Sequence, residues 1–392
     1  MSALKLKQKI ELFLEKAQAV PLEELYLEQE VQSKILEKLK ESTNLNSLLS
    51  RSYSQYLAQK SLQSFTKNFT FNFFSFFIFW PYLLLCLAKY LLNTGKAFTK
   101  PTNNGIFFEP TLEMLPKSLI ESYDCSLKIN KQLLNLSDIY FIFKIFVHYP
   151  LSFYFLTKIA YKVSYYRANL HLKNPKSFIC CSEYSFTSSI LTEWCNQNAV
   201  LHINIMHGEK LFHIVDSFSS FHQFYVWSPF YLDLFKKLYC SADKFIIELP
   251  ATFNNLISLR KHTDHRTLTI FLQTKDPEAW QRIATHLKQN NSYFKVKIRP
   301  HPRWLSDGLV QNIFTGFEIE NPRNVSIIES IGTTNFVCSA FSTVLFQGHL
   351  AGRKLIIDDL SNPLLYNRFK SLDLGALNLE HTLLSEIKKF EQ

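Results

Sequence analysis

Glycine is scarce in this chain: nine residues among 392, with no Gly-x-Gly-x-x-Gly and no Walker-type loop. Backbone can cradle a dinucleotide or a P-loop phosphate only where glycines recur at fixed spacing, so neither a dinucleotide oxidoreductase nor a P-loop enzyme is expected. Cysteine is also sparse. Its seven copies are odd in number and form no Cys-x-x-Cys pair, which provides neither a disulfide framework nor a zinc site. Cys180 and Cys181 read as small hydrophobes on a buried strand, and a reducing cytoplasm fits them. Residues Met1 to Gln18 are charged and helical and lack an apolar region ending in a cleavage site, so no signal peptide is evident. The chain has no internal repeat.

Phenylalanine, by contrast, is abundant at 36 copies, and 47% apolar content is ample for two real cores. Forty-three basic against thirty-three acidic residues leave a net charge of +10, which favours polyanions, anionic lipid surfaces or phosphorylated substrates. Nucleic acid is not expected as a partner, because the charge is spread along the chain and no nucleic-acid module is recognisable.

The most informative stretch is Lys295-Val-Lys-Ile-Arg-Pro-His-Pro-Arg303. Val296 and Ile298 alternate with charged residues as in a half-buried strand, and Pro300 and Pro302 forbid a helix beyond it. The two prolines also hold their predecessors extended, so His301 is set in a fixed direction between Arg299 and Arg303 as part of an anion site. About forty residues on, Phe336 to Ile357 reads as strand, Ser-rich turn, helix, Gly break and strand. Ser339, Ser342 and Thr343 fall where that helix is predicted to begin, and hydroxyls beside free backbone N–H groups can receive phosphate. No Asp-x-Asp pair precedes this site, so no metal is demanded and no cofactor is expected; Asp358-Asp359 reads as a solvated turn.

Residues 1–67 show helical periodicity through Ile10 to Leu14 and Val31 to Leu39, giving an N-terminal helical region. Phe69 to Leu92, within a segment spanning 68–100, is the most apolar run. Asn72, Ser75, Pro81 and Lys89 interrupt it, and Lys60, Lys67, Lys96 and Lys100 flank both sides. Symmetric positive flanks favour an element lying in the headgroup region of an anionic membrane over a single span, with a buried core hairpin as the alternative. Ile139 to Leu156 adds a second aromatic surface.

Two α/β runs follow, over 101–262 and 263–392. The first predicts strands at Ser177–Cys181, Val200–Met206, Gln223–Trp227 and Lys244–Leu249, with helices at Ser185–Gln197 and Phe230–Leu238. His207-Gly208-Glu209 stands at a strand's C-terminal end, where ligands bind in open α/β sheets, and its two titratable groups can serve as base and orienter. Polar residues 251–266 read as the connection. The second run predicts a strand at Thr267–Gln273 and a helix at Pro277–Gln289 ahead of the His301 loop. The expected architecture is α/β and GT-B-like: two Rossmann-like domains facing a cleft, acceptor domain first and nucleotide-donor domain second, with a helical and aromatic membrane-proximal extension.

The succession of strand, His-Gly turn, Val226-Trp227-Ser228, Arg-Pro-His-Pro at 299–302 and Ser339-x-x-Ser342-Thr343-Val-Leu-Phe resembles the bacterial surface-polysaccharide transferases. Those include the CDP-glycerol glycerophosphotransferases of teichoic-acid synthesis and the sialyltransferases and polysialyltransferases with His-Pro and Ser-Ser motifs. The resemblance covers roughly residues 177–360. It implies that His301 contacts the donor phosphate or protonates the leaving group, that Ser339, Ser342 and Thr343 grip the nucleotide phosphate, and that His207 and Gly208 match the glycerophosphotransferase turn. Sialyltransferases instead carry an acidic pair before a glycine, which leaves the base open between His207 and Glu209.

The expectation is therefore an inverting, metal-independent transferase of capsule or lipopolysaccharide synthesis. It would be cytoplasmic and peripheral to the inner membrane, with a nucleotide-activated sugar or polyol donor and a glycan or lipid-linked acceptor. Arg299, His301 and Arg303 would offset charge on the departing phosphate. A cytidine donor is favoured: the glutamates that common retaining UDP- and GDP-sugar enzymes place eight residues apart are here Ser339 and Gln347, neither of which ionises. The alternatives are a GT-B-shaped sugar-nucleotide epimerase and a non-catalytic envelope protein that binds glycan or lipid.

Overall fold

The computed structural model describes residues 27–92, 104–259, 266–273, 275–290 and 294–387; the expected helix through Ile10 and the flanking Lys96 and Lys100 lie outside them. Two compact units are present. One takes the chain up to Leu112 with Ser118–Met206 and His213–Ile247, and the other takes Glu113–Lys117, His207–Phe212 and Glu248 onward. Each contains one six-stranded sheet, parallel throughout. The fold is therefore an α/β arrangement with two domains.

In the first unit the strands are β1 (Asn104–Phe107), β2 (Asp124–Leu127), β3 (Ser177–Cys180), β4 (Leu201–Ile205), β5 (Ser220–Val226) and β6 (Ser241–Ile247), in the order β2-β1-β3-β4-β5-β6. Parallel strands need crossovers and are covered on both faces, which is why every residue of β3 is buried rather than alternating. The longer helices are α1 (Gln29–Ser42), α2 (Leu48–Ser61), α3 (Phe65–Leu92), α4 (Leu136–His148), α5 (Phe153–Lys173), α6 (Ser188–Gln197) and α7 (Pro229–Lys237). Strands β1 and β2, only four residues each, have no counterpart in the sequence-based expectations.

The helical region packs onto this sheet's own loops. Gln55 of α2 donates from Nε2 to the carbonyls of Glu183 and Val215 at 2.7 and 2.8 Å, and Arg51 donates to the Tyr239 carbonyl at 2.7 Å. Helix α4 starts with a reciprocal capping box between Asn135 and Asp138. The same Asp138 carboxylate, almost fully buried, accepts from Arg167 Nε at 2.7 Å and from Trp194 Nε1 at 2.8 Å, so α4, α5 and α6 share one satisfied charge.

The apolar run forms neither a hairpin nor an interrupted element. It is one helix of 28 residues with Pro81 inside it, and a narrow stripe of Phe71, Ser75, Phe79, Leu83 and Cys86 is buried. Of the residues that break the run in sequence, Asn72 and Ser75 are turned toward protein, while Lys89 is exposed. Asn72 donates to the Leu151 carbonyl at 2.8 Å and accepts from Tyr154 N at 3.1 Å, while Tyr82 meets Ser164 at 2.7 Å. The opposite side exposes Phe69, Phe73, Phe74, Phe77, Leu84 and Leu92. Trp80 contacts Phe146 with ring centroids 5.5 Å apart, which continues the apolar surface onto α4, where Tyr140, Phe143 and Val147 are exposed.

In the second unit the strands are β7 (Thr267–Phe271), β8 (Lys295–Arg299), β9 (Glu318–Ile319), β10 (Phe336–Ser339), β11 (Lys354–Ile357) and β12 (His381–Leu383), joined in the order β12-β11-β10-β7-β8-β9. Its longer helices are α8 (Pro277–Asn290), α9 (Thr343–Leu350) and α10 (Pro363–Ser371). Counted from β7, the order is that of a Rossmann sheet, and it reverses between β7 and β10. Every residue of β7 is buried, and β8 alternates until Arg299, as its sequence predicts. The buried end of β8 is stabilised by an ion pair between Arg299 and Glu320. Lys295 and Lys297, on the solvated side, pair with Glu318 at 3.0 and 3.7 Å.

Candidate functional site

Ligands of open α/β sheets bind outside the carboxyl ends of the strands, at the point where strand order reverses. In the second unit that point lies beyond Phe271 and Ser339, and a cavity of about 560 Å³ opens there. Phe271, Gln273, His301, Ser342 and Gln347 line it. The volume suits a small-molecule ligand.

His301 occupies the first position outside a 3₁₀ turn, Pro302–Asp307, with φ −63° and ψ 142°, the extended geometry that the following proline imposes. Its Nδ1 accepts the Arg303 backbone N–H at 3.2 Å. With Nδ1 serving as acceptor, the proton of the neutral ring sits on Nε2, and Nε2 is the donor left for a ligand. Partial burial, and then the Arg303 guanidinium, hold the imidazole pKa below its ordinary value. The free site thus favours a neutral, donating His301, and an arriving anion would draw it toward the charged form.

Helix α9 begins at Thr343. Ser342 is its N-cap, accepting from Val344 N at 3.3 Å. Thr343 Oγ1 accepts the Glu209 N–H at 3.3 Å, and Glu209 Oε2 accepts the Ala376 N–H at 3.1 Å. Gly208 has φ +73°, and a Cβ built on it would lie 3.3 Å from Thr343 Oγ1, so both conformation and space call for glycine. His207 is exposed. The His207-Gly208-Glu209 turn and the start of α9, 134 residues apart at the Glu209–Thr343 contact, are therefore one structural feature.

Two expected phosphate ligands already hold partners within the protein, although Arg299 also lines the cavity. Arg299 is buried, its guanidinium paired with Glu320 and donating to the Val325 carbonyl at 2.8 Å, so its charge is already matched. Ser339 ends β10 rather than starting a helix. It is fully buried and donates to the Phe271 carbonyl at 3.0 Å, tying β10 to β7 where the sheet order reverses. The hydrophobic flanks of these residues placed them correctly along the chain, but the direction of a side chain at a strand end is set by neighbouring strands. Asp358 also departs from the solvated turn expected: it is buried, accepts the N–H groups of Leu360 and Ser361 at 3.1 and 2.9 Å, and has its carboxyl pKa raised by burial.

Thr252 and Phe253 also line the cavity, from a stretch that reads in sequence as a polar connection. The short helix Phe253–Ile257 buries only one apolar pair, Phe253 and Leu256, too little for periodicity to detect. Among the described residues no group of three His, Cys, Asp or Glu side chains gathers as a metal-ligand set.

Two doubly wound parallel sheets define a two-domain α/β protein. Solved structures similar to the chain include the wall teichoic acid polymerase TagF, at 8% identity and a TM-score of 0.38 over 72% of this chain and 77% of that one. TagF soaked with CDPG for 30 minutes gives 8% identity and a TM-score of 0.36 over 66% and 70%. No protein-family model and no curated protein matches the sequence.

Proposed function

We propose that this chain is a transferase of surface-polymer synthesis that moves a sugar or polyol phosphate from a cytidine-activated donor to a glycan or lipid-linked acceptor. The observation that carries this is the convergence, at the reversal point of the second sheet, of the His301 loop and the Ser342 cap on one cavity, with the His207-Gly208-Glu209 turn held against Thr343. In the proposed reaction the nucleotide phosphate lies at the start of α9, where backbone N–H groups and the helix dipole favour an anion. His301 donates from Nε2 to a phosphate oxygen, and Arg303 adds charge beside it. The acceptor oxygen bonds to the donor carbon or phosphorus as the bond to the nucleotide phosphate breaks, and the acceptor proton passes to His207. Glu209, tied to the Ala376 N–H, holds the turn rather than serving as the base. Arg299 and Ser339 brace the strand ends that carry the ligand groups.

The donor is tested by thermal shift with CMP, CDP, UDP and GDP at equal concentration. A ligand at a hundred times its dissociation constant stabilises by about 2.7 kcal/mol. The expected result is a larger shift with a cytidine nucleotide; a larger shift with UDP or GDP removes the cytidine assignment. Nucleotide release that requires an acceptor glycan separates transfer from epimerisation and from simple binding.

The exposed side of α3 supports attachment to an anionic membrane surface. At about 1.5 Å per residue its 28 residues extend roughly 42 Å, and mean hydropathy reaches 1.8 in its most apolar window. It carries Lys67 and Lys89 but no acidic residue, and Lys144 on the adjoining α4 lies 4.6 Å from the Tyr140 ring. Aromatic side chains over lysines suit the headgroup boundary. The chain is expected to sediment with vesicles containing phosphatidylglycerol, to be partly released by salt, and to lose binding when Phe73 and Phe77 become aspartate. Recovery of the parent chain in the supernatant would end this assignment.

A further inference from the structure

The first sheet has a reversal point of its own. In the order β2-β1-β3-β4-β5-β6 the strand sequence turns between β1 and β3, so the crevice outside their carboxyl ends is a second place where a ligand is expected. A cavity of about 480 Å³ lies there, bounded by Phe108 and Glu109 beyond β1 and by Cys181 and Ser182 beyond β3.

Its chemistry is cationic. Lys158 and Lys162 enter from successive turns of α5, and Lys128 follows directly after β2. Among the described residues no carboxylate stands within ion-pair distance of any of the three. Lys158 and Lys162 are half-buried, and desolvation first, then a neighbouring ammonium, lowers the pKa of Lys158. For Lys162 burial is again the leading cause; the Lys128 charge adds to it, with Cys180 and Glu109 acting in the opposite sense. Holding like charges together in a partly dry crevice is unfavourable unless an anion joins them.

The remaining wall is suited to hydroxylated carbon. Ser185 and Thr187 hydroxyls meet at 2.8 Å, Glu109 supplies a carboxylate acceptor, and the Phe108 ring stacks on Tyr166 with centroids 4.4 Å apart. A bare inorganic ion would use the lysines and leave the carboxylate and ring unused. We propose that this crevice binds a phosphorylated polyol or sugar, with phosphate between Lys158 and Lys162, hydroxyls on Glu109 and the Ser185–Thr187 pair, and a carbon face against Phe108. That this ligand is the acceptor rests on the proposed transfer reaction; the binding itself does not.

The test uses the full chain and titration calorimetry with glycerol 3-phosphate, glycerol, inorganic phosphate and CMP. Glycerol 3-phosphate is expected to bind at least about tenfold more tightly than inorganic phosphate or glycerol, since a charge-assisted contact and the hydroxyl contacts act together. Lys158→Met and Lys162→Met should each weaken it about tenfold or more while leaving CMP affinity and the melting temperature unchanged. Glu109→Gln should weaken glycerol 3-phosphate but not inorganic phosphate. Unaltered glycerol 3-phosphate affinity in the double lysine variant overturns the proposal, as does equal affinity for inorganic phosphate or an equal loss of CMP binding. Lysine-dependent binding of glycerol 3-phosphate in a chain that binds no cytidine nucleotide would support this site and remove the donor assignment alone.

Discussion

Replacing His301 by alanine is expected to lower turnover by about a hundredfold or more, with little effect on thermal unfolding. The side chain is exposed, so its removal opens no core cavity. It does accept one backbone N–H, from Arg303, and losing a cap of this kind costs about 1 kcal/mol. The larger loss comes from Nε2, the one donor of the ring not used by the protein. Taking away a preorganised donor aimed at developing phosphate charge typically costs about 10²–10³ in turnover. His301→Asn, which can keep the cap but not the reach, should melt like the parent and turn over like the alanine variant. Single-turnover nucleotide release decides it: near-parental rates in a normally folded variant would remove His301 from the reaction.

Glu320→Ala is expected to produce the largest loss of stability near the site. Arg299 and Glu320 are each about 6% exposed in their side chains, and their pairing is the main compensation for two buried charges. Deleting one partner strands the other, which costs about 3–5 kcal/mol. At about 2–4 °C per kcal/mol for a domain of this class, the unfolding midpoint of the second unit should fall by on the order of 10 °C. The double change Arg299→Met with Glu320→Leu should recover most of that loss, because an apolar pair of similar volume needs no desolvation. A Glu320→Ala midpoint within about a degree of the parent would show that water already reaches the pair.

Much of the second unit is readable in its sequence. The strands at Thr267 and Lys295 and the helix from Pro277 declare themselves through continuous or alternating apolar residues, and they occur within a residue or two of where those patterns place them. The proline-braced direction of His301 is likewise a local property, since proline restricts its own φ and its predecessor's ψ without help from the rest of the fold. Strands β9 and β12, two and three residues long, were not readable because they are too short to show a period, and β1 and β2 carry Gly105, Asp124 and Ser126 where the equally short β10 and β11 carry a mostly apolar run.

The candidate sites divide in the same way. Sequence marks Ser342 and Thr343 as a helix start, because a cap acts on N–H groups one or two residues away. It does not distinguish them from Ser339 and Arg299, whose hydroxyl and guanidinium are consumed by Phe271 and Glu320, partners supplied by other strands. The lysines at 128, 158 and 162 form no motif; the order of strands in the first sheet brings them to one crevice.

By itself, the sequence determined that Phe69–Leu92 would be apolar, long and free of acidic residues, because these are sums over side chains. Only the tertiary structure decided which side of that helix remains uncovered. Asn72 interrupts the run on paper, yet α5 and the turn before it satisfy its side-chain amide, and the aromatic side that remains has no protein over it among the described residues. Hydrophobicity is additive along a chain, whereas a hydrogen bond depends on where a distant partner comes to rest.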